Sequence, residues 1–192
     1  MQSRSSAILV AFGLILVGTP SIAQVPFLGS CPHMEVVQNF NVSAYLGKWY
    51  EQQRYFAIFE LGAHCVTATY TDEGNGVVGV NNENTNVATN RKSSIKGEAT
   101  LVGKNGEAKL KVVFPSVGNF GAPYWILETD YTRYAIVWSC SGLLGANAQF
   151  AWVLTREKNP GLEVLAEIKE QLEKHNVPAR PFLKTKQICE DN

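Results

Sequence analysis

About eight short runs of strand-forming residues, each closed by a turn signal, restrict this chain more than any other feature. Residues 49–56 alternate in polarity, and residues 65–71 are rich in β-branched and aromatic side chains. Glu73-Gly74-Asn75-Gly76 ends that run, and residues 77–82 return from it. A second Asn-Gly step, Asn105-Gly106, joins residues 94–102 to 107–114. Asn-Gly tolerates the positive φ values that tight hairpin turns require. Runs at 124–129, 134–140 and 149–156 complete the series. Consecutive hairpins predict an antiparallel up-and-down meander, and closing it into an eight-stranded barrel removes its exposed edges. The expected class is therefore all-β.

One helix interrupts this pattern. Asn159 is expected to cap it, Pro160 fits its first turn, and Lys174-His175 complements the dipole at its end. Leu165, Ile168 and Leu172 make an apolar stripe at helical spacing, suited to packing on the outer wall of the barrel.

Residues 1–23 have the organisation of a secretory signal peptide. Arg4 gives the positive start, residues 7–17 are apolar, and Ser21-Ile22-Ala23 offers small residues for cleavage. The apolar run is shorter than the roughly 17–25 residues that span a bilayer. Residues 24–192 then form one domain of 169 residues, and losing Arg4 leaves a net charge of −1. A near-neutral chain with interspersed charges does not point to nucleic acid or to steering onto anionic membranes. Cys31, Cys65, Cys140 and Cys189 contain no Cys-X-X-Cys pair. In an oxidising compartment they make two disulfides, with three possible pairings. Asn41-Val42-Ser43 is the one N-glycosylation sequon, which expects Asn41 at the surface of a secreted protein.

Three separated motifs then converge. Gly47-Lys48-Trp49-Tyr50, Thr129-Asp130-Tyr131 and the arginine ending Phe150-Ala151-Trp152-Val153-Leu154-Thr155-Arg156 together resemble the lipocalin family across nearly the whole mature chain. Pro123-Tyr124-Trp125-Ile126-Leu127 and Ser139-Cys140 resemble its apolipoprotein D-like branch, which includes insect bilin-binding proteins. The resemblance implies the disulfides Cys31–Cys140 and Cys65–Cys189. It also implies that the signature residues Gly47, Trp49, Thr129, Asp130, Tyr131 and Arg156 are structural. Trp49 plugs the closed end, Arg156 crosses its indole face, and Asp130 holds a turn through backbone N–H groups.

By the same resemblance the barrel carries a small hydrophobic ligand and needs no cofactor, with biliverdin or a lipid as possible cargo. Phe150, Trp152 and Leu154 alternate onto one face with Arg156, as Val112 and Phe114 do on an earlier strand. The apolipoprotein D-like pattern places Tyr70, Asn82, Asn84, Phe114 and Trp152 at pocket positions, with Tyr124 and Ser139 as further candidates. The related apolipoprotein has charges where this chain has Asn82, Asn84 and Asn86. A neutral amide binds a carboxylate less strongly than a charged group does.

Tyr55-Phe56-Ala57-Ile58-Phe59-Glu60-Leu61 is apolar for a connection and is expected at the open mouth, near Val117, Phe120, Leu143 and Leu144. It suits a lid over the ligand, or a surface that docks on a membrane or lipoprotein. A cell-surface receptor is a further possible partner. No catalytic or metal-binding set is expected: His33, His64 and His175 have no metal-like spacing and are read as surface residues. The alternative of a lipid-protective antioxidant rests on Met34, whose simpler reading is an ordinary exposed side chain.

Overall fold

The computed structural model describes residues 25–189, so the signal-peptide reading of residues 1–23 lies outside the described residues. Its sheet comprises β1 (Val25–Leu28), β2 (Gly47–Tyr55), β3 (Ala63–Gly74), β4 (Val77–Asn86), β5 (Lys92–Leu101), β6 (Lys109–Val113), β7 (Gly121–Thr129), β8 (Tyr134–Leu143), β9 (Ala146–Thr155) and β10 (Phe182–Lys184). Strands β2 to β9 pair antiparallel in chain order, and β9 closes back on β2. This is the expected eight-stranded barrel, with short terminal strands added to it.

The two Asn-Gly turns form as their chemistry demands. Asn75 and Asn105 have φ values of 53° and 54°, each followed by a left-handed glycine. The run expected over 107–114 is shorter as a strand, because Ala108 donates its N–H to Val37 O at 2.9 Å. The N-terminal arm thus takes the hydrogen bond that a longer strand would have used.

A four-residue helix, α1 (Val42–Tyr45), precedes β2. Asn41 Oδ1 caps it by accepting the Ala44 N–H at 3.1 Å. The second helix, α2 (Leu162–Lys174), begins later than the sequence suggested. Its first i→i−4 bond runs from Leu165 N to Gly161 O, so Gly161 is the N-cap and Asn159 and Pro160 lie outside the helix. The buried stripe is Val164, Ile168 and Leu172, with Leu165 only half-buried. Spacing alone did not separate the neighbouring apolar residues 164 and 165; the rotation of the helix on the wall selects between them.

Glu167 of α2 accepts from Tyr134 Oη at 3.3 Å and lies 2.8 Å from Arg133 Nη1, which docks the helix on the outer face of β8. Tyr134, Ile136 and Trp138 therefore face α2, while Ala135, Val137 and Ser139 point into the barrel. Tyr55 extends the outer layer, packing edge-on against Trp138 and Phe182 and donating to Pro178 O at 2.7 Å. Each aliphatic side chain fully buried under the helix contributes about 1.5–3 kcal/mol.

Both termini complete the wall. Strand β2 pairs with β3 only over residues 47–50, and beyond that β10 occupies the edge of β2 over residues 53–55. Cys65 donates its N–H to Lys186 O at 2.8 Å, and Gln187 Nε2 donates to both Glu51 O and Val66 O. The C-terminal segment thus fills a split between β2 and β3. At the other side, β1 pairs with the upper part of β9. Disulfides Cys31–Cys140 and Cys65–Cys189 fasten these two arms, in the pairing that the resemblance implied.

Candidate functional site: the barrel interior

The closed end is assembled from the three signature motifs. Trp49 is fully buried, donates from Nε1 to Tyr45 O at 2.9 Å, and has the Arg156 guanidinium 3.7 Å from its ring centroid. Arg156 also donates to the carbonyls of Tyr131, Lys48, Ala44 and Tyr45. Gly47 has φ +95°, and a Cβ there would lie 3.3 Å from Arg156 Nη1. Glycine is thus required both by the backbone and by the approach of the arginine. Thr129 Oγ1 donates to Tyr134 O, and Tyr131 O is an acceptor for Arg156. Asp130 Oδ1 accepts the N–H groups of Thr132, Arg133 and Tyr134. Partial burial raises the Asp130 pKa, but these N–H groups and the Arg133 side chain outweigh it and hold the carboxyl below its usual range.

Residues paired directly across antiparallel strands share a face, so the register identifies the lining. Trp49 pairs with Ala68, Ala68 with Asn82, and Asn82 with Ile95; Tyr70 pairs with Val80. Ala99 pairs with Val112, Leu110 with Tyr124, and Ser139 with Phe150; Val137 pairs with Trp152. Asn84 and Phe114 continue the alternation of β4 and β6. All nine candidate residues (Tyr70, Asn82, Asn84, Val112, Phe114, Tyr124, Ser139, Phe150 and Trp152) consequently fall on the inward face. Phe114 lies against Gly97, where an added Cβ would meet its ring at 2.6 Å.

Inward Tyr70, Val80, Ala99, Leu110, Val112 and Val137 are 0–5% exposed, so part of the interior is packed. Outward residues Ile136, Val153 and Trp138 are 0–1% exposed beneath their covering layer. Inward residues Ala68, Asn82, Ile95, Phe114, Tyr124, Phe150 and Trp152 are only partly buried. The inward face is therefore packed in part and accessible in part, leaving room inside the barrel beside these seven side chains.

Two polar groups inside the barrel were not anticipated. Near the floor, Tyr124 Oη lies 2.6 Å from Tyr70 Oη and 3.1 Å from Tyr45 Oη. Burial pushes the Tyr70 pKa up to about 12 and likewise raises those of Tyr45 and Tyr124, so all three remain phenols at neutral pH. Two bonds use two of three phenolic protons, leaving one to donate to a bound oxygen. Tyr45 was missed because it sits in α1, where strand alternation says nothing.

The second group lies just inside the mouth. Arg54 Nη1 is 2.5 Å from Glu51 Oε1, and Arg54 Nε is 3.0 Å from Glu60 Oε2. Thr185 donates to Glu51 and accepts from Arg54, while Trp152 Nε1 donates to Glu60 Oε1 at 3.2 Å. Alternation from Trp49 does reveal Glu51, but a bulge between Glu51 and Gln53 turns Arg54 onto the same face. Burial and the neighbouring Glu51 carboxylate raise the Glu60 pKa to about 8, against the opposing pull of Arg54.

Glu60 belongs to the apolar mouth segment, where residues Ile58–Glu60 form a 3-10 turn. Phe59 stands 5.9 Å from Phe150, which stacks at 5.9 Å on Trp152. The segment therefore folds over the lining. A polar groove of about 560 Å³ runs past Lys48, Tyr50, Thr67 and Thr85 and reaches Asn84. Its solvated walls suit an apolar molecule less well than the interior does.

Two surface readings are corrected. Met34 is buried in the core, and His175 is largely covered, with Nε2 3.1 Å from Glu128 Oε2; His64 is half-buried. The N-terminal arm and α2 cover positions that look exposed in the sequence. Among the described residues, no three His, Cys, Asp or Glu side chains cluster to hold a metal ion.

A family model described as a lipocalin-like domain matches residues 40–181. The chain is a lipocalin. It is 37% identical to apolipoprotein D of Bos taurus over 166 residues, covering 84% of each protein. It is 32% identical to the Lazarillo protein of Schistocerca americana over 191 residues, covering 96% of this chain and 86% of that one. Among solved structures, insecticyanin of the tobacco hornworm Manduca sexta superposes with a TM-score of 0.76 at 23% identity, covering 85% of this lipocalin and 89% of insecticyanin. Lobster apocrustacyanin A1 gives 0.71 at 24% identity, covering 85% and 92%. At these identities the structural matches speak for the fold.

Proposed function

We propose that this lipocalin is a secreted carrier of a small hydrophobic molecule, held without chemical conversion in the barrel. The partly accessible, partly aromatic interior carries this reading. Phe114, Phe150 and Trp152 offer flat apolar surface, and Val112 adds an aliphatic contact. Tyr70, Tyr124, Asn82, Asn84 and Ser139 supply the few polar groups that orient a ligand in such sites. The family relationship supports lipid, steroid-like or bilin cargo, and the turn at Ile58–Glu60 acts as a lid. The two disulfides fit an extracellular setting, and no described helix is long and apolar enough to cross a membrane.

Protein purified from a secreting eukaryotic host is expected to release a stoichiometric apolar molecule on denaturation, identified by absorbance and mass spectrometry. Empty protein whose tryptophan fluorescence is not quenched by fatty acids, steroids or biliverdin overturns the carrier reading.

A second reading draws on the exposed Phe59, Leu61, Val87, Val117, Phe120 and Leu144 in the mouth loops. These form an apolar rim suited to a membrane or lipoprotein surface. Co-flotation of the same purified protein with phosphatidylcholine vesicles supports docking, and its absence opposes it. The antioxidant alternative is weaker, because burial of Met34 shields its sulfur.

Asn41 is exposed and uses Oδ1 for the α1 cap, leaving Nδ2 for a glycan. We infer that the sequon is occupied. Ser43→Ala is expected to remove the glycan mass while keeping the cap, whereas Asn41→Gln removes the glycan and costs about 0.5–2 kcal/mol from the cap. Identical masses for the wild type and Ser43→Ala oppose occupancy.

A further inference from the structure

Charge balance inside the barrel narrows the cargo. The inward positions of the strands carry two arginines. Arg156 is screened from the cavity by the Trp49 indole and is engaged by four backbone carbonyls. Arg54 is flanked by two carboxylates, Glu51 and Glu60, and also donates to Thr185 Oγ1 and to the Glu60 carbonyl oxygen at 2.7 Å. The groups packed around Glu60 are therefore Arg54 and Glu51 from β2, with Trp152 from β9; Thr185 joins Arg54 and Glu51 from the C-terminal segment. Neither arginine remains to pair with a ligand anion, and carboxyl groups outnumber the accessible guanidinium two to one. Arg91 and Lys92 stand exposed in or beside the β4–β5 loop, where water screens them.

One buried acceptor on the inward face of β4, Asn82 Oδ1, also lacks a hydrogen bond, while Glu60 Oε2 is held by its ion pair with Arg54. An apolar molecule stacked on Phe150 and Trp152 brings its polar end beside Glu60, because Trp152 itself donates to that carboxyl. A hydroxyl or ammonium placed there donates into an acceptor-rich, anionic corner. A carboxylate there loses its hydration without gaining a cation.

We propose that the pocket selects apolar ligands whose headgroup donates hydrogen bonds and has no negative charge, such as a long-chain alcohol or amine, and rejects the matching carboxylate. This rests on the carrier reading and specifies its cargo. Glu60 is the specificity-determining residue: it lies beside the bound headgroup and, once ionised, supplies a carboxylate in excess of Arg54. Raising the pH through the Glu60 transition adds a negative charge and sharpens the rejection.

Calorimetric titration of the delipidated protein with dodecanol, dodecylamine and dodecanoate separates these ideas. The alcohol and amine are expected to bind at least about tenfold more tightly than the carboxylate at pH 7, where one unpaired buried charge separates the complexes. The gap should widen at pH 9 in the wild type. Glu60→Gln keeps the acceptor for Trp152 but removes the titrating carboxyl, so its gap should no longer widen between pH 7 and pH 9. Equal affinities for the three ligands, or a gap that still widens at pH 9 in Glu60→Gln, overturn the selectivity and leave the carrier intact. Failure of all three to bind overturns the carrier reading and the proposal together.

Discussion

Trp49→Ala is expected to destabilise the protein by about 3–5 kcal/mol, the range for emptying a fully buried tryptophan site. The indole closes the floor, anchors α1 through its bond to Tyr45 O, and lies under Arg156 at 3.7 Å. Removing it leaves a guanidinium with no aromatic partner, next to a new cavity. Arg156 still holds four carbonyls from separate segments, so the fold should persist with a lowered urea midpoint. The ligand surface proposed at Phe114, Phe150 and Trp152 does not include Trp49. Ligand affinity should thus change far less than stability does, while secretion falls with the folded population. A variant as stable as the wild type that has lost binding contradicts this division between plug and pocket.

The second large effect concerns the disulfide between Cys65 and Cys189. Replacing both with serine opens a closure spanning 124 residues. The chain-entropy model assigns such a loop about 4–5 kcal/mol, reduced by any residual structure in the unfolded chain. A local consequence adds to the global one. Residues 182–187 fill the split between β2 and β3, and Thr185 reaches the Glu51–Arg54 pair inside the wall. Freed at Cys189, this segment keeps its short β pairing and the Thr185, Lys186 and Gln187 bonds but loses its covalent tether, so its end should fray. Limited proteolysis should then cut within residues 182–189 before the barrel unfolds, and ligand should dissociate faster through the widened slot. An unchanged melting temperature with an unchanged cleavage pattern would sink the idea that the C-terminal arm is a fastened part of the wall.

These expectations show which features were local and which were not. Strand alternation and the Asn-Gly steps were legible because period two and positive φ are properties of adjacent residues. The inward parity of Phe150, Trp152 and Leu154 follows from the same rule. The cysteine pairing was not readable from spacing; family resemblance supplied it, and Cα–Cα separations of 5.9 Å at both pairs accommodate it. The helix start was misjudged because Asn159-Pro160 and Gly161 are each plausible N-terminal signals, and only the hydrogen bond from Leu165 to Gly161 distinguishes them.

By itself, then, the sequence determined the antiparallel hairpins, the faces of most strands and the three motifs that close the floor. Each depends on short-range stereochemistry or on motifs whose order survives along the chain. Tertiary structure alone decided that Tyr45 joins Tyr70 and Tyr124, that a bulge turns Arg54 inward, and that residue 185 enters the wall beside residue 51. It also decided that Met34 and His175 are covered. Burial and charge pairing between distant segments are set by where the folded chain brings them. For this lipocalin, those encounters form the polar groups at both ends of the pocket.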